Sequence, residues 1–161
     1  MTEPADPPAY CGEPRFAPLV QFLEQGIPFN RHLGLRVILL DPGRAVCCVP
    51  WADHLIGDAL RPAIHGGVTS MLIDTTGGCA CFTQMMKGSD RMSTLDLRVD
   101  YLRPLAHADT YCQAQVMRLG NRVGVCRMEV FAGRSPWVGG AADALPVATG
   151  QGVYNLVRKG D

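Results

Sequence analysis

The segment from Val68 to Met86 constrains the fold more than any other part of this chain. Apolar or small residues fall on every side of it, among them Met71, Leu72, Ile73, Cys79, Ala80, Cys81, Phe82, Met85 and Met86. A helix of that kind is expected to be covered all round. The pair Gly77-Gly78 weakens it by about 1 kcal/mol per glycine relative to alanine, yet lets a neighbour approach closely. His65-Gly66-Gly67 opens the element and Lys87-Gly88-Ser89-Asp90 ends it. Within it Asp74 is the only charge.

Something must wrap this helix, and the rest of the chain reads mostly as strands. Residues 1–14 hold four of the twelve prolines and are expected to form a flexible arm, with one domain over 15–161. From Arg15 to Gln25, Phe16, Leu19, Val20 and Leu23 recur at helical spacing, and Gly26 and Pro28 are expected to stop the run. Leu35–Leu40 and Ala45–Trp51 read as a hairpin about the turn Asp41-Pro42-Gly43. The stretch 53–63 is irregular. After the helix, Met92–Arg103 alternates, with Leu95, Leu97, Val99 and Tyr101 on one face and Thr94, Asp96, Arg98 and Asp100 on the other. Thr110–Leu119 and Val123–Phe131 flank the turn Gly120-Asn121-Arg122 as a second hairpin. Residues 132–146 form a loop. Val147–Val157 is a last strand whose two glycines suggest a bend or bulge. One helix apolar on all sides and about six strands predict an α+β fold in which a curved antiparallel sheet wraps the helix.

Composition removes several function classes. Lysine plus arginine equals aspartate plus glutamate at 15 each, so there is no electrostatic footprint for nucleic acid. The bases lean toward the C-terminal half, which would suit a phosphate-bearing ligand there. No run reaches the roughly 18–20 apolar residues that span a bilayer, and Met1–Pro14 lacks the apolar core of a signal peptide. Seven cysteines, an odd number, read as reduced cytoplasmic thiols, small and buried. Neither Cys47-Cys48 nor Cys79 with Cys81 has zinc-ligand spacing, so no metal is expected.

Three segments carry a resemblance. His65-Gly66-Gly67-Val68-Thr69-Ser70-Met71-Leu72-Ile73-Asp74 resembles the central-helix motif of hotdog-fold acyl-CoA thioesterases of the phenylacetate-pathway type. Thr94-Leu95-Asp96-Leu97-Arg98-Val99-Asp100-Tyr101-Leu102-Arg103-Pro104 resembles the strand that follows in that family, and Ala148-Thr149-Gly150-Gln151-Gly152 its final strand. The likeness covers roughly residues 30–157, with the segments in the family's order. It implies a hotdog fold, hydrolysis of an acyl- or aryl-acyl-CoA to free acid and coenzyme A, and no cofactor beyond the coenzyme A of the substrate. It also implies a dimer or tetramer whose sites are shared between subunits. Gly66 and Asp74 are eight residues apart, about 12 Å along a helix, so one carbonyl cannot touch both within one chain.

The resemblance assigns roles residue by residue. Asp74 would activate water against the thioester carbon or attack that carbon itself; a carboxylate in an apolar wall gains basicity, although a structural ion pair is its plain alternative. Gly66, at a helix N-terminus, would give a backbone N–H to the developing oxyanion. His65 would shape the turn or contact the thioester, and Gly67 lies against the substrate. Thr94 would hold the water or orient Asp74, though threonine is also a good strand former. Asp58, in Leu55-Ile56-Gly57-Asp58, stands where the family commonly has asparagine; it is protonated, positions water, is displaced, or is simply a loop aspartate. Arg98, Arg103, Arg118 and Arg122 are candidates for the coenzyme A phosphates, or a solvated face. Phe82, Met85, Met86 and the loop 52–63 would floor the acyl pocket. Two rival readings remain: a hotdog enoyl-CoA hydratase or dehydratase, which wants a histidine–carboxylate pair, and a non-catalytic acyl-CoA binding module.

Overall fold

A computed structural model describes residues 7–58, 60–85, 90–105 and 107–158. Short helices α1 (Ala17–Gln21) and α2 (Pro28–His32) come first, joined by a π-helical turn over Phe22–Gly26. A hairpin follows, β1 (Arg36–Asp41) with β2 (Arg44–Val49), then a small hairpin of β3 (Ile56–Asp58) and β4 (Ala63–Ile64). The central helix α3 runs Gly66–Phe82. Four strands complete the chain: β5 (Arg91–Tyr101), β6 (Thr110–Leu119), β7 (Val123–Ala132) and β8 (Ala148–Val157). The six long strands form one antiparallel sheet in the order β1-β2-β6-β7-β8-β5. This is the expected helix wrapped by a sheet.

The N-terminal run stops at Gly26 as expected, with Ile27 extended before Pro28. Pro28 then starts the separate helix α2, where its fixed φ suits a first helical position. Three expectations about the fold need correction. The segment expected as a flexible arm over 1–14 is tethered near its end, because Cys11 and Glu13 donate backbone hydrogen bonds to Ile38 and Leu40 along the free edge of β1. The glycines of β8 make no bulge; its pairing with β7 is unbroken. A Cβ on Gly150 would sit 2.5 Å from Ile73 of α3, and one on Gly77 would strike the Tyr154 hydroxyl. These glycines therefore let helix and sheet touch backbone to side chain.

The last correction concerns α3 itself, which is not covered all round. Its sheet-facing residues, including Leu72, Ile73, Thr76, Cys79 and Ala80, are buried. Gly67, Ser70, Met71, Asp74 and Thr75 are not, and they recur at the spacing of one helix face. The pattern of apolar residues on all sides thus resolves into a buried face and a stripe that the single chain leaves open. Of the thiols, Cys47, Cys79, Cys81, Cys112 and Cys126 fill the space between helix and sheet, unpaired, with the sulfurs of Cys81 and Cys126 3.3 Å apart. Met86 and residues 87–89 lie outside the described residues.

Candidate active site

The site is built from two ends of one strand acting on two ends of one helix segment. Near the start of β5, the Thr94 hydroxyl donates to Oδ1 of Asp74 at 2.8 Å. At the end of β5, the Tyr101 hydroxyl donates to the Gly66 carbonyl at 2.8 Å and lies 2.5 Å from the Ser70 hydroxyl, which also donates to Gly66. So β5 holds both residues expected to do chemistry, at opposite ends.

Strict alternation places Thr94 on the solvent face with Asp96, Arg98 and Asp100. The structure places it on the helix face with Leu97, Val99 and Tyr101. A β-bulge between Thr94 and Asp96 is the reason. Leu95 is the extra residue, 60% exposed, and it turns everything before it over by one position. Without the bulge, Thr94 could not reach Asp74.

Asp74 is half-buried rather than set in an apolar wall, because its stripe of α3 is open. Tyr154, from β8, donates to the Asp74 backbone carbonyl at 3.0 Å and fixes the helix at that point. Burial, and then the nearby Asp74 charge, pushes the Tyr154 phenol well above its ordinary range, so this hydroxyl stays a donor.

At the other end His65 is the N-cap of α3, and its Nδ1 accepts the Gly67 N–H at 2.9 Å. That acceptor role leaves the proton of a neutral imidazole on Nε2. His65 therefore shapes the turn. Gly67 spends its amide on this cap, while the Gly66 N–H, first in the helix, takes no hydrogen-bond partner among the described residues. A free N–H at a helix N-terminus is aimed at incoming negative charge.

The Asp58 carboxylate is turned toward its own loop. It accepts from the Leu60 and Arg61 backbone N–H groups at 3.0 and 3.2 Å and from Arg61 Nε at 3.2 Å. The backbone donors chiefly, with the Arg61 charge, hold its pKa below the usual carboxylate range. Of the readings open to it, protonation is excluded at neutral pH, and displacement into a turn is what the geometry shows.

The remaining candidates separate. Arg98 lies on the sheet face away from α3, paired with Asp100 at 3.1 Å, because even positions beyond the bulge point outward. Arg103 is exposed beside Gly66, on the rim of a cavity of about 350 Å³. Arg118 and Arg122 are exposed at and after the end of β6. Phe82 ends α3, sixteen residues from Gly66, and does not line that cavity; Met85 is core. The cavity draws instead on Ala63 from the expected loop, on Ile64 just after it, and on Tyr101 and Leu105. Sequence reasoning gives no site role to Tyr101, Ser70 or Tyr154. The legible signal for the first of them is its place in β5, seven residues after Thr94.

Comparison with known proteins agrees with this geometry. The family model of the thioesterase superfamily matches residues 62–136. The medium/long-chain acyl-CoA thioesterase YigI of Salmonella typhimurium is 30% identical over 116 residues, covering 65% of this chain and 75% of the relative. A Halobacterium salinarum protein provisionally named an esterase is 38% identical over 130 residues, covering 78% of this chain and 82% of that one. Among solved structures, a variant of the phenylacetic acid degradation protein PaaI from Thermus thermophilus superposes with a TM-score of 0.64. It is 29% identical, over 80% of this chain and 98% of that one. With its helix wrapped by six antiparallel strands and relatives of this identity and coverage, the chain belongs to the thioesterase superfamily and has its hotdog fold.

Proposed function

We propose that this protein hydrolyses acyl-CoA thioesters in sites that a second copy of the chain completes. One observation carries the reading: β5, an uncovered sheet edge, grips Asp74 at one end and Gly66 at the other. Two copies pairing their β5 edges antiparallel about the strand's middle bring Thr94 of one opposite Tyr101 of the other. Asp74 of one copy then faces Gly66 of its partner. The same pairing covers the open stripe of α3 and the exposed Leu95 and Tyr101 of β5, and it desolvates Asp74. A dimer is the minimum, and a tetramer built from two such dimers is compatible with it.

In such a site the thioester oxygen accepts from the Gly66 N–H, which stabilises the charge that develops on it. Asp74 takes a proton from water attacking the thioester carbon, or attacks that carbon itself and is released by water. The departing thiolate has an ordinary pKa of about 8.5, so no strong acid is needed. Arg103 and Arg122, exposed and unpaired by any salt bridge among the described residues, are available to the coenzyme A phosphates. The scheme needs no metal or other cofactor. The unpaired thiols suit a reducing cytoplasm. A hydratase is less well supported, since His65 is committed to its cap and stands nine residues from Asp74 in the chain.

The test is release of free thiol from short, long and aromatic acyl-CoAs, with enoyl-CoA absorbance followed in parallel. Wild type should release thiol, and Asp74→Asn should melt normally and lose about 10²–10⁴-fold in kcat. An Asp74→Asn protein with unchanged turnover would remove Asp74 from the chemistry. Light scattering at micromolar concentration should find no monomer.

A further inference from the structure

We infer that the cavity beside Gly66 is the acyl subsite, and that it selects uncharged acyl groups of limited length. The inference rests on the thioesterase reading above and adds the substrate class. Gly66 lies in the cavity lining as well as at the start of α3. A thioester whose oxygen meets the Gly66 N–H therefore has its acyl carbon at the cavity. The coenzyme A portion must leave toward solvent, which directs the acyl chain inward.

The walls are apolar. Ile64 and Leu105 are buried, Ala148 is 1% exposed, and Ala63 is half-buried. The small hairpin and the exit of β5 are held together here, since Ile64 N donates to the Leu105 carbonyl at 3.1 Å. Two hydroxyl-bearing residues line the cavity, Thr69 and Tyr101, and the Tyr101 hydroxyl is already engaged with Gly66. The one charge, Arg103, is exposed and stays at the rim. A chain ending in a carboxylate would have to bury that charge against Ile64, Leu105 and Ala148 without a partner.

Volume sets the length. The cavity holds about 350 Å³. A methylene group is close in size to a water molecule at about 30 Å³, so incomplete filling gives room for roughly eight to ten carbons. Each methylene that leaves water for this cavity should raise kcat/KM about fourfold until the space is full.

The experiment measures kcat/KM from acetyl- to palmitoyl-CoA for wild type, Ala63→Leu and Leu105→Ala, with octanedioyl-CoA, short enough to fit, as the charged probe. Wild type should climb with length, level off near the filled cavity, and reject the dicarboxylic chain. Ala63→Leu should move the optimum shorter by roughly three carbons, the size of its added side chain. Leu105→Ala should move it longer by a similar step; if that variant does not fold, Ala63→Leu decides alone. An unmoved length profile in a folded Ala63→Leu protein overturns the subsite and leaves the thioesterase standing. No thiol release by wild type from any acyl-CoA overturns both.

Discussion

A shared site makes a quantitative demand on mixtures of two inactive chains. The first chain carries Asp74→Asn and keeps its oxyanion donor. The second carries Gly66→Pro and keeps its carboxylate. Proline fits position 66 for three reasons. Gly66 is the first residue of α3, where a fixed φ is favourable. His65 before it has φ −59° and ψ 132°, the extended conformation that proline requires of its predecessor. The N–H that proline removes has no partner among the described residues, and a Cβ there meets nothing closer than the Tyr101 ring at 3.4 Å. Gly66→Pro should therefore fold and lose about 10²–10³-fold in kcat through the missing donor. Random pairing of equal amounts gives about half heterodimers. Each heterodimer has one site with both lesions and one with none, so the mixture should recover about a quarter of wild-type activity by this symmetry. Coexpression of the two chains, native mass spectrometry to count heterodimers, and a thiol-release assay supply the measurement. If heterodimers form and activity stays at the level of the two parents, each site lies within a single chain.

Three further outcomes follow from the geometry. Thr94→Val, close in shape, removes the 2.8 Å hydrogen bond to Asp74; a bond to a charged acceptor is worth about 1.5 kcal/mol at the low end for a site this open, so kcat should fall roughly tenfold with KM little changed. Asp58→Asn should leave kcat/KM equal or raised, because the ionised carboxylate serves its own turn. The folded protein holds the pKa of Asp58 below its ordinary value, so its small stabilising effect is present above the ordinary carboxylate pKa of about 3.9 and fades as pH falls through the folded value. Melting followed from pH 6 to pH 3 should be flatter for the variant. At alkaline pH the thiols take over. Burial raises those of Cys48 and Cys112, and for Cys79 the hydrogen bond with Cys47 comes first and burial second. Groups raised in the fold stabilise it fully below their unfolded pKa, and that stability is lost as pH rises above it. With an unfolded thiol pKa of about 8.5, three such groups cost about 4 kcal/mol at one pH unit higher. Tm in reducing buffer should drop by roughly 8–16 °C between pH 7.5 and 9.5. A flat Tm would mean that these thiols ionise within the fold.

Much of the architecture was legible because it depends on the periods of strand and helix. A long apolar helix followed by alternating strands admits few arrangements, and the sheet of six was one of them. What sequence could not show was where that helix stops being covered. Its apolar stripe residue Met71 and its buried neighbours Leu72 and Ile73 look alike in composition, and only the position of the sheet separates them. The β8 glycines misled for a related reason. Glycine in a strand marks either a bulge or a close approach, and the sequence of β8 alone does not contain Ile73, which decides the matter.

The site shows the same limit in sharper form. Asp74, Gly66 and Thr94 were identifiable from motif and spacing, and Asp74 with Thr94 meet as expected. Yet alternation, applied faithfully, sets Thr94 on the wrong side of β5, and one exposed leucine corrects it. Leu95 adds a residue to β5 where it pairs with β8, and the strand before it turns over. The bulge therefore has a function beyond shape: it lets residues seven apart, Thr94 and Tyr101, both face α3, where an unbroken period of two would put them on opposite faces. An even separation would achieve this without a bulge, but a bulge also bends the edge strand locally where two copies must pair. Deleting Leu95 leaves Thr94 and Tyr101 an even number of residues apart, so regular pairing with β8 should keep Thr94 turned toward Asp74 and remove only the local bend of the edge strand. Turnover of the assembled protein should then stay above that of Thr94→Val, while the dimer should dissociate more readily on dilution in light scattering. If the deletion lost as much turnover as Thr94→Val in an intact dimer, strand period alone would not place Thr94, and the reading of Leu95 as a residue that only resets the alternation would have to be given up.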